Sequence, residues 1–126
     1  MPEIGKEDQG DGERAGGLLA ITIAEVAAQA KEQPQWSAGD RFATSVAKHK
    51  DLSVTVLILR KGALLKEHTA RGSISLQVMA GAVRFSAAGG DKNLTPGMLC
   101  VLDPEIPHAV EALEESTLLL TAAIAG

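Results

Sequence analysis

From Gly39 onward the chain is written in period two. Phe42-Ala43-Thr44-Ser45-Val46, then Leu52 to Leu59, then Ile74 to Met79 are β-branched or alternating runs of strand length. Val83 to Ala87, Met98 to Leu102, Ala109 to Ala112 and Thr117 to Ala122 continue the series. Between them stands turn chemistry: Lys61-Gly62, Arg71-Gly72, Ala80-Gly81, Gly89-Gly90-Asp91, Thr95-Pro96-Gly97 and Asp103-Pro104. Side chains two apart on a strand share a face, so each run offers an apolar face that another run has to cover. Seven or more short strands at this spacing predict an all-β antiparallel sandwich or barrel. No internal repeat of the roughly 20 to 50 residues typical of solenoids interrupts that reading.

The chain before Gly39 follows other rules. Residues 1–16 hold Gly5, Gly10, Gly12 and Gly16, seven charges and Ile4 as the one sizeable apolar side chain, too little burial to offset the entropy of ordering them. An unstructured tail is predicted there, with Glu3, Glu7, Asp8, Asp11 and Glu13 outweighing Lys6 and Arg14. Thr22-Ile23-Ala24-Glu25 then has the form of a capping box, in which the Thr hydroxyl and the Glu carboxylate each take one free N-terminal N–H. A short helix from about Ile23 to Glu32 follows, with Ile23, Val26, Ala27 and Ala30 on one face, and Pro34 stops it. Trp36 is expected to pack where this segment meets the body. The predicted organisation is a tail over 1–16, a helix and connector over 17–40, and a barrel over 41–126.

Composition then removes whole classes of function. The 126 residues are about one domain's worth of chain. A net charge of −4 lacks the basic footprint that phosphate-backbone binding requires, and Trp36, Phe42 and Phe85 are too few aromatics for base stacking. Nucleic acid is therefore not an expected partner. Neither is a membrane, because no stretch approaches the roughly 18 apolar residues of a transmembrane helix. The acidic, Gly-rich start lacks the basic-then-apolar pattern of a secretory signal, so a cytoplasmic location is expected. The single cysteine, Cys100, cannot form an internal disulfide.

Two motifs between Gly62 and His108 resemble those of the cupin superfamily. The first family motif runs from a Gly through a short strand to His-x-His, a Glu and a hairpin Gly; Gly62, His68 and Gly81 stand in the matching places, and Val78 to Phe85 looks like the family's central hairpin. The second is a Gly, a five-residue strand, a Pro-x-Gly turn and a His; Gly97, Met98 to Leu102 and Asp103 to His108 reproduce its spacing. The resemblance implies a cupin-type double-stranded β-helix, a jelly-roll barrel, preceded here by the short N-terminal helix. It also implies a metal, since the family's motif residues supply three imidazoles and a carboxylate to Fe, Mn, Ni, Cu or Zn. The sequence departs from that set: the second His falls at Ala70 and the Glu at Ile74, leaving His68 and His108. Asp103 and Glu105 also replace the Pro and Gly of the second turn.

Two imidazoles fall short of the three protein ligands of even an open catalytic zinc site, so any transition metal is expected to bind weakly. Other donors do not complete the set: His49 lies between Lys48 and Lys50, Glu67 is sent to the opposite face by strand alternation, and Cys100 reads as a small buried hydrophobe. His68 and His108 instead predict a shared pocket, in which an imidazole pair can bind a small ligand and one member can serve as general base. Ile74 shares parity with Leu76 and Val78, so the floor of this ligand-binding pocket is expected to be apolar, better matched to a small organic molecule than to a phosphorylated sugar. Arg60, Arg71 and Arg84 are read as solvated surface rather than anion clamps.

The opposite parity, Ser75, Gln77 and Met79 with Leu57 and Leu59, is less polar than a solvated sheet face. A homodimer packed through it is the expected state, the alternative being that the N-terminal helix covers it. The functions left open are three: a small-molecule-binding cupin of undefined activity, a metal-dependent cupin oxygenase or isomerase with a reduced ligand set, and a structural or regulatory dimeric scaffold.

Overall fold

A computed structural model describes residues 13–124. Among them, β1 (Glu13–Ala15) and β2 (Leu18–Ala20) form a small hairpin, followed by helices α1 (Ile23–Ala30) and α2 (Pro34–Ala38). Nine strands follow: β3 (Arg41–Lys48), β4 (Leu52–Leu59), β5 (Leu64–His68), β6 (Ile74–Ala80), β7 (Val83–Ala87), β8 (Gly90–Leu94), β9 (Leu99–Leu102), β10 (His108–Ala112) and β11 (Ser116–Ala123). They build a five-stranded sheet in the order β3-β4-β11-β6-β9 and a four-stranded sheet in the order β5-β10-β7-β8. Every pairing is antiparallel, as the alternating runs predict.

The two sheets face one another across a core of Leu57, Leu59, Leu76, Val78, Val83, Phe85, Leu94, Val110 and Leu118. Its centre is a cross-strand row in which Leu118 stands between Leu57 on β4 and Val78 on β6. That row corrects the parity expected for Leu57 and Leu59, which turn inward with Leu76 and Val78 rather than outward. The unbroken apolar run of β4 had hidden its phase: Val56 and Ile58 are buried too, on the outer face, beneath the helices.

The N-terminal segment differs from expectation in three ways. Helix α1 begins at Ile23 without a side-chain cap: Thr22 has extended backbone, and its carbonyl rather than its hydroxyl accepts from Glu25 and Val26 N–H. Pro34 does end the first helical segment but also opens α2, where its fixed φ suits a first helical turn. Trp36 is buried there against Ala27, Ala30, Phe42 and Ile58, and Arg60 lies 4.2 Å over its ring, donating to the Trp36 and Gly39 carbonyls. Third, Glu13–Ala15 lies in strand β1, whereas the rest of the predicted tail, 1–12, falls outside the described residues.

Two glycines of positive φ separate a packed turn from an open one. Gly81 (φ +86°) turns β6 into β7, and a Cβ there would collide with the Glu115 carbonyl and the Ser116 side chain, whereas Gly89 (φ +77°) looks into open space. Gly81→Ala is expected to cost more than about 2 kcal/mol and Gly89→Ala about 1 kcal/mol, because only the first adds a steric clash to the backbone strain. Urea denaturation of the two variants beside the wild type measures the difference.

Candidate functional site

The β6–β7 hairpin at Gly81 crosses from one sheet to the other, so the start of β6 and the end of β7 lie at the same end of the barrel. The four-stranded sheet closes that end with a row of direct partners: His68 opposite His108, His108 opposite Ala87, Ala87 opposite Gly90. The five-stranded sheet contributes Ile74, paired with Leu102 and Ala122. The loops leading in and out are tied together, since Glu105 N–H donates to the Ala70 carbonyl at 2.8 Å.

His68 reaches this site by a local irregularity. Val110 pairs with Leu65, and strict alternation from that pair would set Glu67 opposite His108 and turn it inward with Leu65. A β-bulge intervenes. Three steps along β5 are matched by two along β10, so His68 takes the place that Glu67 would have held. Nothing local signals the bulge, because Leu-Leu-Lys-Glu-His has no clear period.

The two rings come together, with centroids 4.2 Å apart and planes inclined by 56°. His108 is also stacked on Phe85 at 5.7 Å and 10°, so its ring is held between an aromatic plate and the second imidazole. Its exposure is 4%, whereas His68 is exposed and forms the outer member of the pair. Each Nδ1 contacts a carbonyl two residues earlier in the chain, His68 that of Lys66 at 2.8 Å and His108 that of Ile106 at 3.0 Å. A carbonyl only accepts, so Nδ1 carries the proton, and in the neutral ring Nε2 is left with its lone pair. Among the described residues nothing donates to the buried Nε2 of His108.

Of the other predicted site residues, Ile74 is buried on the inner face at the same end, while Leu76 and Val78 lie further in, packed into the core. Cys100 is half-buried on the same inner face, and burial pushes its thiol up, away from the thiolate a nucleophile needs. Arg60 is committed to Trp36, and Arg84 pairs with Glu111 at 2.8 Å on the outer face of its sheet. Two cavities of about 320 and 380 Å³ lie outside the barrel, one between β2 and the β3–β4 strands beside His49, the other between α1 and the ends of β6 and β11. Phe85 is the neighbour that the sequence reading missed, although its parity with Val83 on β7 could have placed it beneath His108.

The metal implied by the two motifs needs more donors than this end of the barrel brings together. Ala70 offers a methyl group and Ile74 a hydrocarbon side chain at the two vacated ligand positions. Among the described residues no group of three or more His, Cys, Asp or Glu side chains stands in metal-binding reach. Two imidazoles do not fit the four-ligand site.

In the second motif's turn a residue other than Gly takes a left-handed backbone. Glu105, where the family pattern has Gly, adopts φ +66°, a left-handed backbone that a side chain adopts only under strain. Glu105→Gly is therefore expected to stabilise the protein by up to about 1 kcal/mol, seen as a raised thermal midpoint with the histidine NMR signals unmoved.

No protein-family model and no curated protein matches the chain. Solved structures match its fold. The cupin 2 conserved barrel domain protein from Leptotrichia buccalis aligns with a TM-score of 0.69 at 26% identity, over 79% of this chain and 47% of that one. An RmlC-like cupin from Shewanella frigidimarina aligns at 0.66 and 23% identity, over 69% of this chain and 78% of that one. A salicylate 1,2-dioxygenase from Pseudoaminobacter salicylatoxidans aligns at 0.64 and 20% identity, over 79% of this chain and 30% of that one. With two facing antiparallel sheets, hairpin glycines at 81 and 97 and these structural neighbours, the chain has the cupin fold, a double-stranded β-helix.

Proposed function

We propose that this protein binds a small, largely apolar organic molecule at the His68/His108 end of its barrel. The observation that carries this reading is the buried Nε2 of His108, an acceptor without a partner among the described residues in a ring otherwise fixed by Phe85 and the Ile106 carbonyl. A buried polar atom left unpaired costs about 1–3 kcal/mol, and a ligand hydroxyl or amide that donates to it recovers that loss. His68 supplies a second acceptor at the solvent side. Ile74 supplies apolar contact where the family's carboxylate would stand, which favours an uncharged ligand body. Bound there, a hydroxyl also meets a base, since either Nε2 can take its proton.

Titration of phenols, short alcohols and simple amides into protein carrying 15N-labelled histidine tests the reading. One of these classes is expected to shift Nε2 of both His68 and His108 while leaving His49 unmoved, and His108→Ala is expected to weaken its binding at least about tenfold. Shifts confined to His68, or binding unaffected by His108→Ala, would count against it.

The second reading is a metal-dependent oxygenase or isomerase, favoured by the likeness of fold to the dioxygenase. Elemental analysis separates the two. The purified chain is expected to carry well under one equivalent of transition metal, and Ala70→His with Ile74→Glu to raise affinity by restoring an imidazole and a carboxylate. A full equivalent in the wild type that is lost in His108→Ala would replace the small-molecule reading with the metalloenzyme one.

A further inference from the structure

A second bulge, in β3, does for Lys48 what the bulge in β5 does for His68. Ser45 pairs with Thr55, Ala47 with Val54 and Lys48 with Ser53. Strict alternation from Ser45 would set Ala47 opposite Ser53 and turn Lys48 to the outer face. The extra residue in β3 sets Lys48 opposite Ser53 instead. From there a row of direct partners crosses the five-stranded sheet: Lys48, Ser53, Ala122, Ile74 and Leu102. Direct partners share a face, and Ile74 is buried on the inner one, so Lys48 stands on the inner face at the level of Ile74. The outer face agrees, since the cavity beside β2 is bordered by Val46, Ala47 and His49 and not by Lys48.

The next row inward runs Ser45, Thr55, Leu120, Leu76 and Cys100. The inner face at this end is thus divided. Its β6 and β9 side is hydrocarbon and a half-buried thiol, whereas its β3 and β4 side carries three hydroxyls and one ammonium. Ser53 and Thr55 are half-buried, Ser45 and Lys48 exposed, so the polar side is the one that opens to solvent. β3 and β5 are edges of the two facing sheets and run to the same end of the barrel, tied at their starts by Arg41 Nη2, which donates to the Leu64 carbonyl at 3.1 Å. Lys48 and His68 therefore finish neighbouring edges, one on each sheet.

We propose that the ligand of this end is a short hydroxy acid, with its hydroxyl on the His68/His108 pair and its carboxylate on Lys48 beside Ser53 and Thr55. This rests on the reading of the histidine pair given above and adds a second, charged end to the ligand. Facing sheets lie about 10 Å apart, a gap that the long lysine side chain and a body of a few carbons cross together. The body then lies along Ile74, and the charge stays at the open, polar edge where it keeps part of its water. The row holds one cation, which balances one carboxylate rather than a doubly charged phosphate. Ion pairs among the described residues join Lys31 to Glu115, Arg41 to Asp40 and Arg84 to Glu111, and none of them takes Lys48. A lysine at such a site acts as a mobile point charge, so the carboxylate is recognised by charge more than by shape.

Titration of the full-length chain with 3-hydroxybutanoate and 6-hydroxyhexanoate, each beside its uncharged methyl ester, tests the charged end, and the 15N signal of His108 Nε2 reports the hydroxyl end. The better-fitting acid is expected to shift His108 Nε2 and to bind about three- to tenfold more tightly than its ester at low ionic strength, a ratio that falls as salt is added. Lys48→Met is expected to bring the ratio close to one and Lys48→Arg to keep it, with circular dichroism showing that both variants fold. Lys50→Met removes the same charge from the adjoining turn and is expected to leave the ratio as in the wild type. Acid and ester that bind equally while both shift His108 would overturn the carboxylate site and leave the histidine reading standing. A ratio that survives Lys48→Met, or that Lys50→Met abolishes as well, would also overturn it. An acid preference that depends on Lys48 with His108 unmoved would refute the two-ended ligand, and absence of binding by every one of these compounds would count against both readings.

Discussion

The pairing of β11 with β4 on one side and β6 on the other joins segments far apart in the chain and puts Leu118 at the centre of the row that fills the barrel. Until that strand is seated, β4 and β6 are unconnected edges and the core has no middle. Contacts of such long sequence separation have to be closed before burial rewards them, so folding of this chain is governed by a late, non-local step. The same strand fixes the phase of its neighbours, turning Leu57 inward and Val56 outward. The helices are then drawn to the outer face because β4 leaves hydrocarbon there.

At the end of the barrel the physics is of another kind. A ring buried among hydrocarbon is held by three unlike contacts: a carbonyl takes its Nδ1 proton, Phe85 supports one face and His68 leans on the other. None of these engages Nε2, and all restrict the directions in which it can point. Replacing a carboxylate with Ile74 and an imidazole with Ala70 lowers the polarity of the end without disturbing this support. The strained Glu105 turn, whose N–H holds the Ala70 loop, keeps the two histidine-bearing segments in register with each other.

Much of the architecture was legible because it depends on period and turn chemistry. All seven alternating runs became strands, and the hairpin at Gly81 needed only the glycine. What escaped the reading had no local signal. β8, Gly90 to Leu94, is a polar segment that reads as a turn and becomes a strand through its hairpin with β7. Thr22 and Glu25 match a capping box, yet the helix begins without that bond. The phase of Leu57 and Leu59 could not be read from a strand that is apolar on both faces. At the site, the residues that meet were legible by motif, whereas the means of meeting was not: a bulge depends on how two strands are counted against each other.

That bulge makes the chemistry of this end a matter of counting. The side chain that faces His108 is chosen by how the residues after Leu65 are counted against β10, so one residue gained there with the bulge kept would present Glu67 in place of His68 without any exchange of one amino acid for another. A carboxylate beside an imidazole is a different instrument from two imidazoles: it carries a charge, accepts at two oxygens and attracts cations. The two alternatives already stand next to each other in the chain. In a barrel of this kind, insertions and deletions in an edge strand can therefore redirect chemistry while every residue of the core stays where it is.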